Sequence, residues 1–378
     1  MSRWREVKFG EVVELSQGLA INMQSKHLQT NDETQLPLLR IADMKEGTKS
    51  RYISKEVNEK FVAKPEDIIY TRTGQVGLVF KGQNGVIHNN CFKVMPCEKT
   101  VNRDFLYWIL KSNYMYSYVN ILASGAAQPD LTHSKFKNIK IQIPDLETQK
   151  KIADILSTYD ELIENNNRRI EILEKTAEEI YKEWFVRMRF PGHENTRFEK
   201  GIPEGWEVKK IGDITKFKRG KNLRIADAIE GSVPVIAGGI EPSCYHNESN
   251  TKAPVITVSA SGANAGYTKL NYVDVWASDC SYIDIEDTNL IYYIYLLLKV
   301  SHKEIMNLQT GSAQPHVYAK DLNDFKFLKP SKKLALKINE YARDNFENIR
   351  ILILNNQNLA KQRDLLLPRL MNGTIEVK

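Results

Sequence analysis

Two Gly-centred clusters hold the residues of this 378-residue chain best suited to chemistry: Thr71-Arg72-Thr73-Gly74-Gln75 and Ser259-Ala260-Ser261-Gly262-Ala263-Asn264. Glycine lets a backbone approach a ligand closely. Arg can pair bidentately with guanine O6 and N7, and Gln or Asn with adenine N6 and N7. That chemistry is recognition of base edges, not bond breaking. Either cluster alone reads as an ordinary turn between strands, but the two occupy the same place in a repeat, which favours binding. The densest basic stretch, Lys216-Phe217-Lys218-Arg219-Gly220-Lys221-Asn222-Leu223-Arg224, fits phosphate contact, with a solvated basic face as the plainer reading. Candidate nucleic-acid contacts are therefore Arg72, Thr73, Gln75, Asn89 and Gln128, and, further on, Lys218, Arg219, Lys221, Ser259, Ser261, Asn264 and Gln314. Gln128 and Gln314 belong to small-residue loops, Ser124 to Pro129 and Thr310 to Pro315, where packing is an equal alternative to contact.

Catalytic signatures are missing. The chain has no GxxxxGK[ST] phosphate loop, no HExxH, no GxSxG and no Asn-Pro-Pro-aromatic motif of an amino-methyltransferase. Glu6-Val7-Lys8 and Glu207-Val208-Lys209 sit beside Trp4 and Trp206 without an upstream acidic partner, which argues against a nuclease. The seven His residues form no i, i+4 pair. Cys91, Cys97, Cys244 and Cys280 show no CxxC spacing, so reduced thiols are expected, with no disulfide and no zinc site. The net charge of +6 permits nucleic-acid binding through a few basic loops. No apolar run approaches the ~18 residues of a membrane span, and the charged start does not suit a signal peptide, so a cytoplasmic protein without membrane contact is expected.

These clusters need elements to hold them. A heptad stripe runs through Ile152 to Trp184 as Ile152, Tyr159, Asn166, Leu173 and Ile180, with Leu156, Ile163, Ile170, Ala177 and Trp184 on the same face. Charged flanks make it a coiled-coil seam. A poorer copy, Ile338, Asn345, Leu352, Leu359, Leu366 with Ala342, Ile349, Asn356, Arg363 and Leu370, supplies the partner. Antiparallel pairing would set Asn166 against Asn356, an amide pair able to fix register. At ~1.5 Å per residue such an arm is roughly 50 Å long. Phe346, Ile353 and Leu367 are expected to give the second helix a further face for a partner's helix.

The globular parts repeat. Before the first helix come strands at Leu36 to Ile41, Asp67 to Thr71, Gly77 to Phe80, Cys91 to Met95 and Ile139 to Ile143, with a helix from Asp104 to Ser117. After Pro203 the order returns: Trp206 with Gly212-Asp213-Ile214, Ser261-Gly262 with Gly266, Cys280, a helix from Leu290 to Val300, the Gln314-Pro315 loop and a strand from Phe325 to Leu328. The predicted fold is mixed α/β (α+β), with two similar domains separated by two long antiparallel coiled-coil helices. Predicted boundaries are residues 1–145 for the first domain and 146–190 for the first helix. The linker and second domain take 191–330, the second helix and tail 331–378. Two heads on a spacer suit duplex DNA, whose half-sites about one turn (~34 Å) apart face the same side.

In this order the features resemble the specificity subunit of type I restriction–modification systems, across essentially the whole chain. The resemblance rests on the Trp4 and Trp206 openings and the Gly-Ala-Ala-Gln-Pro and Gly-Ser-Ala-Gln-Pro loops. It rests also on Ile141-Gln142-Ile143-Pro144 before Gln149-Lys150-Lys151-Ile152, and on the Asn165-Asn166 and Asn355-Asn356 pairs. It implies two target-recognition domains, each reading half of a split DNA site, and helices that set the unread gap. It also implies partners: double-stranded DNA, two modification subunits methylating adenine with S-adenosylmethionine, and restriction (motor/nuclease) subunits using ATP and Mg2+. Those cofactors belong to the partners, and none is expected on this chain. A recognition chain serving a stand-alone adenine methyltransferase is one alternative. A two-headed protein adaptor is another.

Overall fold

The computed structural model describes residues 4–123, 128–310 and 315–377. Two compact units emerge: Met1–Glu164 with Asn356–Lys378, and Asn165–Asn355. Both divisions fall inside the long helices, so each unit contains one head and a half of each helix.

The helices are longer than the heptad stripe alone predicts, Leu146–Phe185 and Lys332–Met371. Asp145 stops the first from fraying: its carboxylate accepts from the Thr148 amide (2.9 Å) and hydroxyl (3.0 Å), satisfying an orphan donor of the first turn. The predicted stripe is the shielded face. Ile152, Leu156, Ile338, Ile349 and Leu352 are buried, and Tyr159, Ile163, Asn166, Ile170, Leu173, Asn356, Leu359 and Leu366 are half-buried. Inside the first unit the helices run antiparallel: Asp160 meets Arg363, and Ile152 and Leu156 share a core with Leu367 and Leu370.

The helix ends are core elements of the heads. In the first head the buried Gln149 accepts from the Asn102 amide (2.8 Å) and donates to the Pro144 carbonyl (2.8 Å), at the start of the apolar helix Arg103–Lys111. In the second, Asn339 accepts from the Tyr292 and Tyr293 amides (3.1 Å each) and so caps Ile291–Val300 from outside that helix. The expectation that Phe346, Ile353 and Leu367 face a partner is overturned. Phe346 stacks on Tyr292 at 5.7 Å within the second core, Ile353 packs beside that core, and Leu367 belongs to the first.

Each head is built to one plan. A two-stranded ribbon ties its opening to the strand feeding the long helix, Arg5–Lys8 with Lys140–Ile143 and Glu207–Lys210 with Lys326–Lys329. Both Glu-Val-Lys repeats lie in this ribbon, Glu6 paired to Lys140 (2.7 Å) and Glu207 to Lys329 (3.5 Å). A four-stranded sheet follows. In the first head its order is Val13–Gln17, Cys91–Pro96, Ile68–Thr71, Val79–Phe80; in the second, Lys218–Arg219, Cys280–Asp284, Val255–Ser259, Thr268–Asn271. Ile68–Thr71 and Val255–Ser259 are buried at every position, since both faces of each central strand are covered. A second sheet carries one parallel pairing in each head, Leu38 and Leu39 with Val86 and Ile87, and Val235 and Ile236 with Trp276 and Ala277. The helix predicted over Asp104 to Ser117 is two, Arg103–Lys111 and Asn113–Ala123. Ser112 breaks it by turning its hydroxyl back to the Ile109 carbonyl (2.7 Å).

Candidate nucleic-acid interface

At one end of each four-stranded sheet three segments are tied together by the same backbone bonds. The strand entering the sheet passes Gly18, whose amide donates to the Cys91 carbonyl (3.1 Å); Gly220 does the same to Cys280 (2.8 Å). A Cβ at Gly18 would overlap the His88 carbonyl, and one at Gly220 the Ser278 carbonyl, so only glycine allows these crossings. The glycine turn then meets the Gln-Pro loop. Gly74 donates to the Pro129 carbonyl and Gly262 to the Pro315 carbonyl, both at 3.1 Å. Leu131 returns a bond to Arg72 (2.9 Å), and Val317 one to Ala260 (3.0 Å). Gly74 and Gly262 have φ of +82° and +78°, a conformation glycine adopts without strain.

On this common scaffold the side chains differ. In the first head Arg72 Nη2 makes a bidentate pair with Asp130 (2.9 Å to each oxygen), and Nη1 donates to Gln17 Oε1 (3.1 Å). Gln17 donates in turn to the Asn89 carbonyl (2.6 Å), and the Thr73 hydroxyl to Asp130 (2.7 Å). Burial raises the Asp130 pKa, but the Thr73 and Arg72 hydrogen bonds outweigh it and hold the carboxyl below its ordinary value. In the second head Ala260 stands where Arg72 does, and His316 takes the place of Asp130, bridging Ser261 as Asp130 bridges Thr73. The Ser261 hydroxyl donates to Asp279, and the His316 ring stacks on Tyr318 at 5.5 Å. Cys91 and Cys280 lie under the two crossings, their thiols pushed up to about 12 by burial, which suits packing and not reactivity.

The predicted contacts fall into three groups. Gln75 and Gln128 are exposed at the turn and its loop, with Gln75 accepting from Lys45 Nζ (3.3 Å), and Asn89 is half-buried beside them. Lys218, Arg219 and Lys221 are exposed on the strand entering the second head. Lys218 pairs with Asp287 (2.8 Å), and Lys221 lies over the Trp276 ring (5.7 Å). Asn264 is half-buried in the turn after Gly262. Arg72, Thr73 and Ser261 are half-buried, with their polar atoms turned onto Asp130 or Asp279. Ser259 is 4% exposed and donates to the Gly238 carbonyl (2.9 Å), so it is a core residue. Gln314 lies outside the described residues, as do the small-residue stretches 124–127 and 311–313. Gln17, Asp130 and Asp279 are the members sequence reasoning missed. They come from strands far apart in the chain, and only the position of Asp130 directly after the Gln-Pro pair could have signalled one of them.

Among the described residues no group of three or more His, Cys, Asp or Glu converges to hold a metal ion, and no helix is long and apolar enough to cross a membrane.

A family model described as the type I restriction modification DNA specificity domain matches residues 1–175 and again 203–353. Among curated proteins, the MjaIX specificity subunit of Methanocaldococcus jannaschii is 30% identical over 346 residues, covering 82% of this chain and 78% of that one. The HindI specificity subunit of Haemophilus influenzae is 22% identical over 409 residues, covering 84% and 88%. The MjaVIII specificity subunit of M. jannaschii is 28% identical over 234 residues, and that match covers 53% of its length. Among solved structures, the type I restriction-modification S subunit from M. genitalium superposes with a TM-score of 0.63 at 19% identity, covering 98% of this chain and 96% of the other. That likeness extends the shared fold over nearly the whole length.

Proposed function

The chain belongs to the family that carries the type I restriction modification DNA specificity domain, and from that premise we propose how it reads its target. It is the DNA-recognition subunit of a type I restriction–modification complex. Each head reads one half of a bipartite site, and the paired helices set the unread gap. The carrying observation is the duplicated knot of glycine turn, Gln-Pro loop and entering strand, held by equivalent backbone bonds but lined by different side chains. A fixed frame with exchanged side chains is what two readers of different half-sites require.

Within that frame Gln75, Asn89 and Gln128 face the bases on the first head, and Arg72 positions Gln17 and Thr73 behind them. On the second head Asn264 faces the bases, with Ser261 held behind it by Asp279, while Lys218, Arg219 and Lys221 neutralise phosphates. Methyl transfer and cleavage belong to other subunits. Two modification subunits use S-adenosylmethionine to methylate adenine, and motor/nuclease subunits use ATP and Mg2+. This chain performs no chemistry and acts in the cytoplasm.

Methylome sequencing of cells carrying the chain with its modification partners tests the reading. The expected product is a split, asymmetric adenine-methylated motif whose first half alone changes on Gln75→Ala and whose second half alone changes on Asn264→Ala. A motif without a gap, or one in which either change rewrites both halves, would overturn it.

A further inference from the structure

The two heads differ in where their positive charge lies. Counting from the equivalent glycines, Lys218, Arg219 and Lys221 of the second head correspond to Ser16, Gln17 and Leu19 in the first, none of them charged. On the first head a group of cations lies instead beside the second sheet. The parallel pairing of Leu39 with Ile87 sets Arg40 next to His88, the residue packed against Gly18. One strand further, the Leu38 amide donates to the Arg51 carbonyl (2.9 Å), which sets Arg51 opposite Leu38, two residues before Arg40. Steps of about 4.8 Å between neighbouring strands therefore lead away from the reading knot along a basic line. Burial, and then the Arg40 and Arg51 charges, hold the His88 imidazole below its ordinary pKa.

This line is built, not frayed. Asp43 is 5% exposed and accepts from Arg40 Nε (2.7 Å), Thr48 (3.0 Å) and Ser50 (2.9 Å), which fixes the segment running into Lys49 and Arg51. Lys49 and Arg51 themselves are exposed. They border a polar hollow of about 630 Å³ between the Gln29–Asn31 edge and the Lys49–Tyr52 segment, with Glu33 the one carboxylate in its lining. Hydroxyls, amides, a guanidinium and an ammonium make a lining suited to phosphate oxygens and poorly suited to an apolar ligand. Among the described residues the second head has no counterpart to the edge strand Gln29–Thr30: its second sheet is three-stranded there, against five strands in the first.

We propose that Arg51 and Lys49, with the hollow beside them, seat the phosphate backbone of the duplex on the first head, filling the role that Lys218, Arg219 and Lys221 fill in the second. The inference rests on the DNA reading above and adds a contact surface to it. The seat lies beside the reading knot and not within it, so its contribution is independent of sequence.

The test uses the full chain assembled with its modification subunits, bound to a target duplex and to a random-sequence duplex over a range of salt. Arg51→Gln and Lys49→Gln are each expected to flatten the plot of log K against log salt by about one contact's worth. Each should weaken target and random duplex by the same factor and leave the methylated motif unchanged, and Glu33→Gln should strengthen both. Lys99→Gln, past the far end of the Cys91–Pro96 strand, serves as the control and should change nothing. Wild-type slopes for both Arg51 and Lys49 variants would overturn the seat while leaving the DNA reading intact, and so would a changed motif. Absence of any salt-dependent binding by the wild-type complex would end both.

Discussion

In the first unit the seam between the long helices adds an ion-pair network to the apolar contacts of Ile152 and Leu156 with Leu367 and Leu370. Arg363 bridges Asp160 and Asp364 and lies over the Trp108 ring (5.8 Å), and Lys111 reaches the same Asp160 (3.1 Å). In the second unit the seam closes on carbon: Ala177, Ala342 and Ile349 are fully buried, with Ile170 and Leu173 packed against the same core. The heads show the same division. Arg72 and Asp130 brace the first knot, where the second has Ala260 and His316. Two copies of one fold have kept their backbone bonds and changed what fills the space around them. Apolar contacts and ion pairs are interchangeable as fillers, but they differ in how they respond to mutation, pH and salt.

The contrast is broken most readily at the second seam. Ile349→Ala is expected to cost about 2–5 kcal/mol, as large-to-small changes in a closed core do. Arg363→Ala in the first unit should cost about 1–2 kcal/mol, because the Asp160 it abandons is a third exposed and can be solvated. Denaturant unfolding of the full chain measures both, and equal costs would erase the proposed difference between the seams. Gly18→Ala and Gly220→Ala probe what the heads share. Each forces a methyl onto a carbonyl oxygen, and each is expected to cost about 1–3 kcal/mol. A large loss at one and none at the other would show that the crossings are not equivalent.

Arg72 and Asp130 sharpen the contrast further. A double-mutant cycle between Arg72→Ala and Asp130→Ala should return a coupling of about 1 kcal/mol. Because the folded Asp130 carboxyl lies below its unfolded value, its contribution is complete above the unfolded pKa of about 3.9 and is lost as pH falls through the lower folded one. Hydrogen exchange across the acid range should show the first head loosening through Asp130, and Arg72→Ala should weaken that response, with the Thr73 hydrogen bond carrying the remainder. The smallest effect is expected at Lys218→Gln. Its partner Asp287 is half-buried but keeps the Asp284 amide as a donor (3.0 Å), so stability should move by less than about 1 kcal/mol, while the salt slope of DNA binding falls by about one.

What could be read from the sequence was periodic or duplicated. The heptad stripe marked the shielded face of both helices because one narrow row of side chains is all that seam buries. The paired Gly turns and Gln-Pro loops marked the knots because the same backbone bonds require the same small residues twice. What escaped had no local spacing. Arg72 and Asp130 join across the sheet, so Arg72 read as a free base contact when its guanidinium is largely spent. Ser259 looked available because nothing in an alternating strand pattern says that both faces of Val255–Ser259 are covered. Phe346 and Leu367 looked like surplus apolar surface because the head that receives each of them lies far away in sequence.

The make-up of the first unit also bears on how the protein is made. Leu367 and Leu370 lie in its core, and Ile375 and Val377 pack against that core, with Gly373 seated on the Trp4 ring. The strands of that head leave the ribosome first, yet they cannot close until the last residues of the chain have followed. The second unit, drawn from one unbroken stretch, has no such wait. A nascent chain stalled before Leu367 would therefore hold a complete second unit and a first one still missing part of its core.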